Sequence, residues 1–336
     1  MTPSVSVVIA THNYGRFLPG AIDSVLEQTY PNFEVIVVDD GSTDDTPRVV
    51  EPYVVDPRVR YERIAHQGQA AAKNRGSHLA QAPLIAFLDA DDVWLPHKLE
   101  RQVALMNVNP EVGVVYSRRL LMDESGRDLE TGPKQLYRGN VLAPIFCDNF
   151  ICFSSALVRR RVLEEVGFFD ESLPLAIDYD LWLRVALHHS FDYVDCPLVK
   201  YRTGHVSLSR RIEERLILVD RITTRFLNDY GGRAALPPEV IRRSQADTYY
   251  HLGLFRRYRS RLGALPCYVR CLALEPGHAL AWRGLASLAL PEAWRRKLRV
   301  ACGRSPDWAV RRPTVNHEKD FATPQGRSLP SCPPAA

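Results

Sequence analysis

From residue 4 to about residue 90, short runs of β-branched and aliphatic residues alternate with stretches whose apolar positions recur at helical spacing. This is the pattern of βαβ units wound around a parallel sheet. Four strands are predicted, at Val5–Ala10, Glu34–Asp39, Val59–Ile64 and Leu84–Asp89. Between the first two, Leu18, Ile22, Val25, Leu26 and Thr29 share a helical face, and Pro31 stops that helix. Ser42, Thr43 and Asp44 offer caps for a second helix, and Gly68 opens a third, Ala-rich helix that ends near Pro83. Right-handed crossovers put the carboxyl ends of such strands on one edge of the sheet. Polar residues gather there: Thr11 and Asn13 after the first strand, Asp39 and Asp40 at the end of the second, His66 to Gly68 after the third, and Asp89, Asp91 and Asp92 at the end of the fourth. Four polar groupings on one edge describe a ligand site.

Beyond residue 100 the regularity falls. Val112–Ser117 and Ser155–Val158 read as strands, Asp123–Gly139 as an irregular polar segment suited to a mobile loop, Val162–Val166 and Asp180–His188 as helices, and Tyr193–Tyr201 as the last strand of a main domain closing near residue 215. Residues 216–303 read as an α-helical extension with Arg-rich faces and Leu/Ala-rich seams, including helices over Ala264–Leu274 and His278–Leu290. Residues 304–336, rich in Pro, Arg, Ser and Thr and without periodicity, read as a disordered tail. The expected class is α/β: a Rossmann-like, mostly parallel sheet flanked by helices, with an α-helical C-terminal extension.

Composition narrows the function classes. With 336 residues, 46% of them hydrophobic and 24% charged, the chain fits a soluble main domain with a smaller appendage. The net charge of +4 is weak, and the basic excess lies late, in Arg256–Arg261 and Arg295–Arg299, which argues against nucleic acid as a partner. Those clusters are suited to anionic lipid headgroups, with a solvated helix face as the plainer alternative. Seven cysteines without a CxxC pair or a His-Cys metal spacing fit a reducing cytoplasm. No basic segment followed by an apolar stretch opens the chain, and no run of about 18 apolar residues occurs. A cytoplasmic protein is expected, with peripheral contact at the inner face of the cell membrane.

The strongest chemical signal is Phe87-Leu88-Asp89-Ala90-Asp91-Asp92, a buried strand that ends in three closely spaced carboxylates. Such oxygen donors suit Mg²⁺ or Mn²⁺, and a cation held by one or two carboxylates keeps positions for substrate phosphates. The alternative is Asp92 capping the helix that begins near Pro96, with the other two solvated. At the second strand, Asp40 can accept a hydrogen bond from a base N–H or a ribose hydroxyl, while Ser42 or Thr43 caps.

The segments Val5–Asn13, Val38–Thr43 and Phe87–Asp92 resemble the motif series of family 2 glycosyltransferases of GT-A fold. The likeness continues through Gly68–Gly76, Val166–Asp170, Asp178–Arg184 and Tyr201-Arg202, covering about the first 210 residues. It implies an inverting, metal-dependent, non-processive transferase, with a nucleotide-sugar half at 1–117 and an acceptor half at 118–215. Thr11, Asn13 and Asp40 would then serve the nucleotide's base or ribose, Lys73 would lie near base or diphosphate, and Asp89 and Asp91 would engage the metal. Asp178 would be the catalytic base, and the late His205 would complete a metal or phosphate site, a plain surface histidine being the alternative. The chain departs from the family pattern at Lys73, commonly Arg, and at Ile177, commonly Glu. Lys keeps the charge of Arg but loses its planar fork. Spacing leaves Asp180 open as an alternative base or as a helix cap. Trp182 and Leu183 continue an apolar helical face and are expected in the core.

The donor implied is a nucleoside-diphosphate sugar, UDP-sugar by default, and the acceptor a hydroxyl of a glycan or lipid-linked glycan in cell-surface polysaccharide synthesis. Membrane helices and a QxxRW-type segment, expected of processive synthases, are absent from the sequence. A sugar nucleotidyltransferase would carry an early Gly-rich phosphate loop, of which Thr11–Arg16 is a poor version; a non-catalytic carbohydrate- or nucleotide-binding protein of the same fold is the other rival.

Overall fold

The computed structural model describes residues 2–130, 135–204, 211–257 and 259–289. Its first half runs β1 (Val5–Thr11), α1 (Leu18–Leu26), β2 (Phe33–Asp40), α2 (Thr46–Val50), β3 (Val59–Ile64), α3 (Gln69–Leu79), β4 (Leu84–Asp89), β5 (Val93–Trp94), α4 (Lys98–Val108), β6 (Val112–Met122) and β7 (Asp128–Leu129). The second half continues with α5 (Leu142–Cys147), β8 (Leu157–Arg159), α6 (Arg160–Val166), α7 (Ile177–Ala186), β9 (Ser190–Arg202), α8 (Ile212–Asp229), α9 (Gly232–Ala235), α10 (Pro238–Arg256), α11 (Arg261–Leu274) and α12 (Ala279–Ala289).

The nine strands of the described residues join one sheet in the order β3-β2-β1-β4-β8-β6-β9-β5, with β7 beside β6. The four predicted strands are parallel to one another, β1 lying between β2 and β4 and β3 outside β2. The downstream half breaks the parallel pattern. β8 runs antiparallel to both β4 and β6, and β5 antiparallel to β9, so the sheet is mixed. Because β6 and β9 are parallel to each other and point the same way as β4, their ends at Met122 and Arg202 arrive at the edge that carries Asp89.

Alternation along the strands feeds a core on each face. Val7, Ile9, Val35 and Val37 pack with Leu18, Ile22 and Val25 of α1 and Leu99, Val103 and Met106 of α4. Val8, Ile36, Val38, Ile85 and Phe87 pack with the alanines of α3, with α7, and with Leu218, Ile222, Phe226 and Ile241. This second core therefore runs past residue 215 into α8 and the start of α10. A third, smaller cluster, with Ala246, Ala264, Tyr268, Cys271 and Ala281, holds α10, α11 and α12 together.

Several boundaries differ from the sequence pattern. The expected strand Ser155–Val158 is a 3₁₀ turn at Phe153–Ser155 followed by β8. The helix expected at Asp180–His188 starts at Ile177, which puts Asp178 and Asp180 together in its first turn. The irregular polar segment contains β7, paired to the end of β6. Of the late arginines, Arg256 and Arg259 both pair with Glu213, and Arg259 and Arg261 are exposed. His205, the Arg295–Arg299 cluster and the predicted tail lie outside the described residues. Among the described residues, no helix is long and apolar enough to cross a membrane.

Candidate active site

The acidic turn after β4 is built from inside the fold outward. Phe87 and Leu88 are fully buried, Asp89 and Asp91 are half-buried, and Asp92 turns back into the protein at 1% exposure. One Asp92 oxygen accepts the Ser154 hydroxyl at 2.5 Å and the other accepts the backbone N–H of Arg202 at 2.9 Å. Asp92 therefore does not cap α4, whose N-cap position is His97. Ser154 also accepts the Asp89 N–H at 3.1 Å, so one buried hydroxyl fixes both ends of the turn. Arg202 adds a third tie, donating to the Asp91 carbonyl at 2.8 Å and reaching the carbonyls of Asp123 and Glu124.

Lys73 is 5% exposed, not a solvated helix residue. Its ammonium lies 2.9 Å from Asp89 and 4.2 Å from the centre of the Phe153 ring. Burial pushes the Asp89 carboxyl up; Lys73 opposes this, and the charges of Asp91 and Asp178 add to it. Asp178, on a different element, is thus near enough to the acidic turn for its charge to act there. Burial, reinforced by Asp91 and Asp89, likewise pushes the Tyr14 phenol up to about 12.

Asp178 lies in the first turn of α7, two residues after Ala176, whose φ of +57° is costly for a residue with a side chain. Its one oxygen accepts the Asn149 amide at 2.8 Å, while the Asn149 carbonyl oxygen is buried without a partner. Asp180 has a different environment. It is 3% exposed, receives Nε and Nη2 of Arg184 at 3.0 and 2.8 Å, and receives Nη2 of Arg225 at 2.6 Å. A carboxylate whose oxygens are taken up by two guanidiniums has no room for an acceptor. The departure at Ile177 has a packing reason: the side chain is 2% exposed and belongs to the core, where Trp182 and Leu183 also lie.

The nucleotide-side groupings sit at the ends of β1 and β2. Thr11 is 4% exposed and its hydroxyl is buried without a hydrogen-bond partner. Asn13 takes the left-handed conformation at φ +58°, and its carbonyl oxygen accepts the N–H groups of Thr43 and Asp44 at 2.7 and 3.2 Å. The side chain thereby ties the loop after β1 to the loop after β2. Asp44 serves α2, accepting the N–H and hydroxyl of Thr46. Asp39 accepts the Ser42 N–H at 2.8 Å and the Tyr61 hydroxyl at 2.7 Å, and Asp40 is 2% exposed beneath His66. Tyr14 and Arg225 escaped sequence reasoning as site residues, because each acts on partners distant in the chain; Asn149 and Ser154 belong to a region that the family resemblance puts on the acceptor side, without a catalytic role, and Arg202 to its last motif.

The family model for glycosyl transferase family 2 matches residues 6–167. An uncharacterized glycosyltransferase of Methanocaldococcus jannaschii is 30% identical over 67% of this chain and 80% of its own length. The chain spans only 37% and 52% of the length of two other relatives, uncharacterized glycosyltransferases of Rickettsia felis and of Nostoc sp.. In fold, the chain is similar to residues 1–349 of S. aureus TarS, with TM-score 0.59 and 16% identity over 88% of this chain and 92% of that one. TarS has also been solved with UDP and with UDP-GlcNAc. The Pyrobaculum calidifontis mannosyltransferase PcManGT, solved with GDP-Man and Mn²⁺, is similar with TM-score 0.58 and 22% identity over 90% of this chain and 85% of that one. This chain belongs to glycosyltransferase family 2, with the GT-A fold.

Proposed function

We propose that the protein transfers a single sugar, with inversion, from a nucleoside-diphosphate sugar to a hydroxyl of a glycan or lipid-linked glycan. The observation that supports this is the acidic turn after β4, where Lys73 lies 2.9 Å from Asp89 and where Asp178 of α7 is near enough for its charge to raise the Asp89 carboxyl. Asp89 and Asp91 would hold Mg²⁺ or Mn²⁺, since two half-buried carboxylates are a hard, oxygen-only donor set. When bound, such a cation neutralises charge on the departing diphosphate. Lys73, already paired with Asp89, contributes a second positive charge on that side.

Asp178 accepts the proton of the acceptor hydroxyl as that oxygen bonds to the anomeric carbon and the bond to the diphosphate oxygen breaks. Asn149 holds the carboxylate's rotamer by donating to one oxygen. Asp180, locked between Arg184 and Arg225, is a structural anchor rather than the base. On the donor side, Thr11 and Asp40 receive the base or ribose, and Asn13 serves by clamping the two loops that frame them. UDP is the favoured carrier, supported by the TarS complexes, with GDP the competitor that PcManGT raises. A cytoplasmic location beside the membrane, in cell-surface polysaccharide synthesis, fits such a donor and acceptor.

Calorimetric titration with UDP, GDP and dTDP, with and without Mn²⁺, tests the donor site. One nucleotide should bind in a metal-dependent way in the wild type and fail to bind to Asp91→Ala. Metal-independent binding, or binding that survives Asp91→Ala, would sink the assignment.

A further inference from the structure

Asp40 is assigned to the donor's base above, yet its bonding capacity is filled from within the chain. Its carboxylate accepts the N–H of Gln67 at 2.7 Å and of Gly68 at 2.9 Å, and Nδ1 of His66 lies 2.9 Å from it. The His66 side chain is 60% exposed while that of Asp40 is 3% exposed, so the imidazole is the outer cover of a buried acceptor. The ring stacks on His12, with centroids 4.1 Å apart and planes 23° apart.

The neighbours fix the protons on both rings. The carbonyl oxygen of Asn13 is held by Thr43 and Asp44, so its amide nitrogen faces Nε2 of His12 at 3.2 Å, and that nitrogen must accept. The His12 proton is then on Nδ1, donating to the Asp40 carbonyl at 2.7 Å. Nδ1 of His66 faces two Asp40 oxygens, the carbonyl at 3.1 Å and the carboxylate at 2.9 Å, and carries a proton as well. The same assignment disfavours a cation here, although His12, Asp40 and His66 bring donor atoms within 4.8 Å of one another. Both Nδ1 atoms already donate, and a metal needs them as lone pairs.

A planar ring that stacks on His12 and offers one N–H to Asp40 has the attributes of a nucleobase with an imino N–H. Resting on the donor-site assignment, we infer that His66 is an internal stand-in for that base, and that the nucleotide binds by displacing it. The segment allows this: residues 65–67 are exposed, and Gly68, at φ +100°, has open space where a side chain would be. A binding-competent state that is populated a tenth of the time weakens apparent affinity about tenfold. His66 thereby sets the donor affinity without contacting the bound donor.

Titration of the full chain with UDP and Mn²⁺, on wild type, His66→Ala, His12→Ala and Asp40→Asn, tests the inference. Binding to His66→Ala should be about tenfold tighter than to wild type, whereas His12→Ala and Asp40→Asn should bind more weakly. Unchanged or weaker binding to His66→Ala, in a wild type that binds and an Asp40→Asn variant that does not, would overturn the stand-in and leave the donor site intact. Absence of nucleotide binding in wild type and His66→Ala alike, with unaltered melting curves, would overturn the donor site itself and the stand-in with it.

Discussion

Two carboxylates two residues apart in the first turn of α7, Asp178 and Asp180, show how partners decide what a residue does. Asp178 is half-buried and held by a neutral amide, whereas Asp180 is enclosed by the guanidiniums of Arg184 and Arg225. Asp178→Asn should lower kcat by about two to four orders of magnitude, the usual worth of a general base, while the nucleotide Kd stays within twofold. Asp180→Asn should act the other way around. It leaves buried positive charge uncompensated, for about 3 kcal/mol of lost stability in urea unfolding, with turnover reduced only as far as α7 shifts. Turnover surviving in Asp178→Asn would remove the base assignment. The sequence exposes both aspartates and their likeness to a family motif, but spacing cannot separate them. The deciding partner, Arg225, lies 45 positions downstream on a different helix.

At the scale of elements, legibility followed regularity. Among the four parallel strands, β1, β2 and β4 are legible to within a residue or so as buried aliphatic runs, and β3, at the sheet edge and only partly buried, as a short run between turn residues. The downstream half resisted because its strands are irregular. β9 contains Pro197, tolerated because the pairing with β6 shifts register there, between Ser117/Val194 and Arg118/Pro197. β8 has only three residues, and its pairing to β4 and β6 cannot be read from so short a run. The close approach of α3 to the sheet also depends on one small residue. A Cβ on Gly76 would lie 2.4 Å from Cγ1 of Val8, so α3 rests directly on β1. Gly76→Ala should cost about 1–3 kcal/mol through overpacking, despite the better helix propensity of Ala. Val8→Ala in the same chain should recover much of that cost, because it removes the atom that clashes. Additive losses in the urea midpoints of the double variant would show that the two positions do not press on each other.

For the whole molecule, the question is where the catalytic unit ends. Leu218, Ile222, Phe226, Leu227, Leu236 and Ile241 sit in the same core as the strands and α7, and Ser244 donates to the Phe146 carbonyl at 2.8 Å. Arg225 bridges from α8 to Asp170 and Asp180, so the helix that carries Asp178 is braced by the segment that follows residue 215. At about 1.5–3 kcal/mol per buried aliphatic or aromatic side chain, these six contribute roughly 10 kcal/mol or more. That is comparable to the entire stability of an ordinary domain. Among the described residues, α11 and α12, in contrast, pack in the small third cluster with the later part of α10. A chain ending at residue 211 should therefore fail to fold cooperatively, whereas one ending at residue 257 should unfold in a single transition, with a lower midpoint, and keep nucleotide binding. Circular dichroism melts and calorimetry on the two truncations check this. A folded, nucleotide-binding chain ending at 211 would show that α8 and α10 are appended to a self-sufficient catalytic domain and do not hold α7 in place.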